Sequence, residues 1–221
     1  RRERMTSERV AMAERETVAR LGRELLDRGL TRGTGGNVSV RCDEGVAISP
    51  SGVPYDDVTP ERVAVVDDAG DAVAGDDPSS ELPLHLAVYR RRDDVGGIVH
   101  THSPYAATFA SLDRPIPASH YLLAYAGGEV PVADYAPPGS VELGDLAVTA
   151  LGEERDACLL RNHGAVAVGR DGEAALETAE MVEFCARIHY QATAIGEPVV
   201  LDDATVADLV ETFAEYRDRG D

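Results

Sequence analysis

Three of the six histidines in this chain stand where a metal ion could be held. His100 and His102 flank Thr101 at the end of the apolar run Gly97–Thr101. That run reads as a strand, and alternate residues of a strand share a face, so the two imidazoles would point the same way. His163 sits in Leu159-Leu160-Arg161-Asn162-His163-Gly164-Ala165, a tight turn between two apolar runs. Three neutral imidazoles can ligate one divalent ion and leave a position open for substrate, which is the catalytic arrangement. Each motif alone also fits something plainer, a hydrogen-bonded pair for His100 and His102 and an ordinary turn residue for His163. His85 and His189 fall inside amphipathic helical patterns and are expected at the core edge or the surface.

Anion-binding chemistry is the second theme. Ser79-Ser80-Glu81 opens a helical pattern that runs to about Arg92, with Pro83 in its first turn, the composition of a helix start. Backbone N–H groups and the dipole at such a start attract anions. Ser79 and Ser80 are therefore phosphate candidates, while Glu81 fits either a capping carboxylate or a group facing the metal. Thr34-Gly35-Gly36-Asn37-Val38-Ser39 is a glycine-rich turn whose backbone could approach a phosphate closely, with Asn37 adding an amide donor. Ser51-Gly52 is a weaker candidate of the same kind.

These groups need a scaffold to bring them together. The spacing predicts helices over Glu8–Leu30, Ser79–Arg92, Tyr105–Ser111, Val141–Leu151, Glu173–Ile195 and Asp202–Tyr216. Thr31–Arg41 is expected as a glycine-rich turn running into a strand, and further strands at Gly45–Ser49, Arg62–Val66, Ala72–Val73, Gly97–Thr101, Ala157–Arg161 and Ala165–Val168. Tyr121–Ala126 and Glu129–Val132 fit no single pattern. With no repeat and no linker, residues 1–221 read as one α/β domain with helices flanking a mixed sheet.

Composition removes several mechanisms. The 221 residues carry 40 acidic against 21 basic side chains, a formal charge of −19. Every basic residue is arginine; there is no lysine. A lysine Schiff base is thus excluded, and an electrophile has to be a metal, an arginine or backbone N–H groups. So acidic a surface repels nucleic acid and anionic lipid, and neither is an expected partner. Dispersed acid together with missing lysine resembles proteins that work in molar salt, as in a halophilic archaeon. Cys42, Cys158 and Cys185 form no metal or redox motif and read as small buried thiols. No segment reads as a signal peptide or membrane span, so a cytoplasmic location is expected.

Gly33-Thr34-Gly35-Gly36-Asn37-Val38-Ser39-Val40, Ser49-Pro50-Ser51-Gly52-Val53-Pro54-Tyr55, Ser79-Ser80-Glu81, His100-Thr101-His102 and Asn162-His163-Gly164 occur in one order along the chain. Together they resemble the class II aldolase/adducin family. That resemblance implies a three-layer α/β/α sandwich around a central mixed, largely antiparallel sheet. It implies a zinc ion, one per subunit and replaceable by another divalent metal, on His100, His102 and His163, with Glu81 able to approach it and to shuttle a proton at the substrate carbon. It assigns the phosphate cradle to Asn37, Ser51, Gly52, Ser79 and Ser80. It makes Tyr121 an acid/base for the aldehyde oxygen across a subunit boundary and Tyr216 a tail residue that closes over the site. The implied assembly is a homotetramer with its sites between subunits. The implied substrate is a small phosphorylated sugar, a ketose 1-phosphate such as L-fuculose 1-phosphate or a 5-deoxypentulose 1-phosphate. A sugar-phosphate 4-epimerase or methylthioribulose-1-phosphate dehydratase on the same fold, a non-catalytic adducin-like module and a zinc hydrolase are the alternatives. Pro137-Pro138 stands where the family commonly carries an aromatic for the aldehyde half.

Overall fold

A computed structural model describes residues 10–218 of the chain, with side chains for residues 10–215. Its elements in chain order are α1 (Met12–Asp27), β1 (Asn37–Cys42), β2 (Gly45–Ile48), β3 (Ala64–Val66), β4 (Ala72–Ala74), α2 (Leu82–Arg91), β5 (Gly97–Thr101), α3 (Pro104–Ser111), β6 (Val132–Ala133), α4 (Val141–Leu151), β7 (Ala157–Leu160), β8 (Gly164–Gly169), α5 (Gly172–Ile195) and α6 (Asp203–Asp218). Short 3-10 turns occupy Tyr55–Asp57 and Tyr121–Ala126.

The eight strands form one sheet in the order β4-β3-β2-β1-β5-β8-β7-β6. Every neighbouring pair is antiparallel except β6 with β7. β5 lies near the middle, between β1 and β8, and its register sets Asn37 opposite His100 on one side and Val166 opposite His100 on the other.

Strand alternation sorts the side chains into two layers. Val46, Ile48, Ala64, Val66, Ile98, Val166 and Val168 face α2 and α4. Val38, Val40, Ala47, Val65, Val99 and Ala167 face α1 and α5. A third cluster joins α3, the Tyr121–Ala126 turn and the middle of α5 to Leu159 and Ala165. The result is the expected α/β/α sandwich. Burying each such Val, Leu or Ile contributes about 1.5–3 kcal/mol, so the central strands are a rigid frame for whatever projects from their ends.

Local chemistry explains the helix boundaries. The Ser140 hydroxyl accepts from Leu143 N at 3.1 Å to cap α4, and Asp171 accepts from Ala174 N at 2.8 Å to cap α5. Of the two segments that fitted no single pattern, Tyr121–Ala126 forms a 3-10 turn, and Glu129–Val132 contributes Val130 to an isolated bridge with Ile116 and Val132 to the two-residue β6. Pro131 lies between them and has no N–H to extend the ladder. Burial pushes the thiols of Cys158 and Cys185 up to about 12, as expected of unreactive cysteines. Among the described residues no helix is long and apolar enough to cross a membrane.

Candidate metal and phosphate site

β5 ends by delivering His100, fully buried, and His102 one residue beyond the strand, both on the α2 side of the sheet. His163 comes from the three-residue turn between β7 and β8, where Asn162 takes a left-handed conformation (φ 57°). The three rings meet with centroids 4.8, 4.8 and 5.1 Å apart. Gly164, next to His163, allows this approach, since a Cβ there would stand 2.1 Å from Thr101 O and 3.1 Å from the His102 ring. Gly36 does the same from the other side: its φ is +67°, and a Cβ would lie 2.5 Å from His100 O.

Glu81 occupies the N-cap position of α2, but its side chain makes no capping hydrogen bond. The carboxylate turns into the histidine cluster instead. Oε2 is 3.1 Å from His100 Nε2, and Oε1 is 3.4 Å from His163 Nε2. One ligand atom from each of Glu81, His100, His102 and His163 can be chosen so that all lie within 4.8 Å of one another. Ligands at zinc bonding distance in a tetrahedron are separated by about 3.3 Å, so a small inward adjustment brings the four to one ion.

The hydrogen bonding asks for that ion. His100 Nδ1 lies 2.9 Å from the carbonyl oxygen of Ala165, which can only accept, so Nδ1 carries the proton and Nε2 presents a lone pair. That lone pair faces His102 Nε2 at 3.0 Å and a carboxylate. Burial, and then the neighbouring imidazoles, lower the proton affinity of His102 to about 4 and hold His163 below its ordinary value. Both are neutral ligands at pH 7. Burial opposes ionisation of Glu81, yet positive charge at the His100 and His163 rings, with the Asn37 amide donor, outweighs it and holds the carboxyl well below the usual range; with those rings neutral, a bound cation would supply that charge. Glu81 Oε1 and His163 Nδ1 are buried with no hydrogen-bond partner. An orphaned carboxylate oxygen beside converging lone pairs fits a divalent cation.

Asn37, Ser51, Gly52, Ser79 and Ser80 all line one cleft of about 520 Å³, together with Glu81, His102 and His163. Among the described residues lining it there is no arginine, so a phosphate would meet neutral donors only. Tyr55, buried, donates its hydroxyl to Gly36 O at 2.9 Å and ties the glycine loop to this wall. Pro138 also reaches the cleft. Tyr121 does not line it; it is half-exposed on the 3-10 turn, 4.9 Å from the His120 ring and 6.0 Å from Phe213 between centroids. The Tyr216 side chain lies outside the described residues.

Sequence reasoning misplaced His85 here, and Cys42, expected as a buried thiol, is only partly buried. His85 is at neither the core edge nor the surface: it is completely buried, 2.6 Å from Ser39 Oγ and 2.5 Å from Asn37 Oδ1. The available signal was its position four residues after Glu81, one helical turn on, which puts both side chains on the same face of α2.

Residues 16–190 match the family described as Class II Aldolase and Adducin N-terminal domain. The chain is 44% identical over 206 residues to a 5-deoxy-D-ribulose 1-phosphate aldolase of Bacillus thuringiensis serovar kurstaki, covering 92% of this chain and 96% of that one. It is 38% identical to a 5-methylthioribulose-1-phosphate/5-deoxyribulose-1-phosphate aldolase of Rhodospirillum rubrum, over 97% and 96% of the two chains. A solved L-fuculose 1-phosphate aldolase superposes with a TM-score of 0.88 at 41% identity, covering 91% of this chain and 96% of that one. The chain belongs to the class II aldolase and adducin family, as one of its aldolases.

Proposed function

We propose that this aldolase cleaves a ketose 1-phosphate, either L-fuculose 1-phosphate or a 5-deoxypentulose 1-phosphate, to dihydroxyacetone phosphate and lactaldehyde or acetaldehyde. One observation carries the reading: Glu81 and three imidazoles converge beside a cleft lined by neutral phosphate donors, in a chain without lysine. His100, His102 and His163, with Glu81, are the proposed ligands of a single zinc ion, which when bound would supply Lewis acidity toward the substrate's carbonyl and adjacent hydroxyl oxygens.

The protein's own groups bind, orient and move protons. Ser51, Gly52, Ser79, Ser80 and Asn37 hold the phosphate with hydroxyl, amide and backbone donors near the start of α2. As the C3–C4 bond breaks, its electron pair passes to C3 and toward the C2 carbonyl, while the C4 hydroxyl loses its proton and becomes the aldehyde. Tyr121 of a neighbouring subunit takes that proton as it hands its own phenolic proton to water; its exposure and its place off the cleft support a role across an interface. Glu81, ionised at rest, takes a proton from water and delivers it to C3, balancing the one released from the C4 oxygen and completing dihydroxyacetone phosphate. Tyr216 closes over the site. The reading takes residues 1–221 as a single class II aldolase domain in a cytoplasmic homotetramer. The acidic, lysine-free composition supports a home in a halophilic archaeon.

The test is release of dihydroxyacetone phosphate from the two substrates in molar potassium chloride, with and without chelator. Chelator-sensitive release from either is expected, and the ratio of rates names the aldehyde. No release from folded, metal-loaded protein would overturn the reading.

A further inference from the structure

Behind the Glu81 carboxylate, four buried polar side chains form a continuous line. Asn37 Nδ2 donates to Glu81 Oε2 at 2.9 Å, Asn37 Oδ1 meets His85 Nε2, His85 Nδ1 meets Ser39 Oγ, and Ser39 Oγ lies 2.9 Å from the Tyr89 hydroxyl. Asn37, Ser39, His85 and Tyr89 are each at most 3% exposed, so water cannot substitute for a missing partner and every member has to be satisfied internally.

A line of this kind can in principle point either way, because Ser, Tyr and neutral His each donate and accept. The Glu81 end removes the choice. A carboxylate accepts only, so the Asn37 amide nitrogen must face it and Oδ1 must face His85. His85 Nε2 then has to carry the ring proton. Burial pushes the imidazole down to about 3, so the ring is neutral and Nδ1 is bare. Ser39 must donate to Nδ1, and Tyr89 must donate to Ser39. The polarity is fixed from the phenol to the carboxylate.

Asn37 also lines the cleft, and its amide nitrogen carries two hydrogens, of which Glu81 takes one. Rotated by half a turn about its last bond, the amide would turn its oxygen toward the carboxylate and lose that donor.

We propose that His85 is a positioning residue: held as its Nε2–H tautomer by Ser39 and Tyr89, it locks Asn37 as a two-pronged donor, one amide hydrogen on Glu81 and the other on the substrate's phosphate. This rests on the phosphate reading of the cleft, and it explains why a fully buried histidine that touches no substrate sits one turn behind the catalytic carboxylate. His85 is thereby distinguished from a packing residue, which would need a ring of this shape but no particular proton.

The tautomer is read directly from long-range nitrogen–proton NMR of the protein labelled with ¹⁵N-histidine at pH 7, with the His85 signals assigned by their loss in His85→Gln. A neutral ring protonated at Nε2 is expected; protonation at Nδ1, or at both nitrogens, overturns the proposal whether or not the protein is an aldolase. Binding is then read by calorimetric titration of metal-loaded protein with inorganic phosphate, alongside KM and kcat. His85→Phe keeps a buried ring but no donor, and should weaken phosphate binding and raise KM about tenfold or more. His85→Gln can present an amide N–H to Asn37 Oδ1 and should stay within about threefold of the parent. Unchanged phosphate affinity in folded His85→Phe, or equal losses in the two variants, would sink the idea. A parent protein with the Nε2–H tautomer and this phosphate pattern, but no cleavage of either ketose 1-phosphate, would remove the proposed substrate and leave His85's role standing.

Discussion

His100 and Ala165 are joined across the β5–β8 ladder by a side-chain bond, the imidazole Nδ1–H to the carbonyl oxygen at 2.9 Å. The sheet itself thus decides which nitrogen of His100 is bare, and aims it at His102 and Glu81. A ligand set prepared in this way should bind one divalent ion per chain. Chelation is expected to abolish cleavage and lower the unfolding temperature, with both restored by zinc. Metal analysis and thermal scans before and after chelator check this. His102→Ala should lose the ion while keeping the helix content of the parent by circular dichroism.

Glu81→Gln preserves the acceptor that Asn37 requires and removes the proton carrier. Turnover should fall by about 10²–10⁴-fold, with bound metal retained to near stoichiometry. Full activity in that variant would show that another group delivers the proton to C3.

Burial gives His85 a pH signature in stability. Its imidazole titrates near 3 when folded and near 6.5 when unfolded, so between those values the unfolded chain binds more protons. Stability from this group is complete above about pH 6.5 and declines as pH falls toward 3. From pH 7 to pH 5 the parent should lose about 2 kcal/mol more than His85→Gln, which does not titrate. Urea unfolding of both proteins at the two pH values measures the difference.

Gly164→Ala would set a methyl group 2.1 Å from Thr101 O and against two of the imidazoles. Backbone cannot yield as a flexible side chain can, so a loss of about 1–3 kcal/mol is expected. Because the displaced atoms belong to the histidine cluster, metal affinity should fall as well. A variant with parental stability and parental metal content would contradict the packing described for the β7–β8 turn.

A net charge of −19 implies strong self-repulsion in dilute buffer. Raising potassium chloride from 0.1 M to 2 M shortens the screening length severalfold, and the unfolding temperature should climb through that range. A flat response would remove the inference of adaptation to high salt.

Much of this was written plainly in the residues. Val141–Leu151 was legible to both ends because Ser140 caps it and Gly152 stops it. His100, His102 and His163 were legible because strand alternation and a hairpin turn are local rules that place side chains without knowledge of the partner strands. Two things were hidden. The short β6 depends on parallel pairing with β7, a contact distant in sequence that no local pattern encodes. The burial of His85 depends on Ser39 and Asn37 projecting from β1 toward α2, so an amphipathic pattern alone read it as peripheral. Asn37 was found as an anion donor, but its bond to Glu81 is a pairing across two elements and could only be seen once they were packed.

The position of β5 between β1 and β8 has a consequence for biogenesis. Glu81, His100 and His102 leave the ribosome well before His163, and β8, which seats His163 against the others, follows later still. A nascent chain lacking β8 has no enclosed site, and closing the β5–β8 ladder requires bringing together residues far apart along the chain, a slow class of event. The ion can therefore be captured tightly only after the last central strand has docked. Capture rewards the finished topology and none of its precursors, so metal supply in the cell would act as a late checkpoint on assembly.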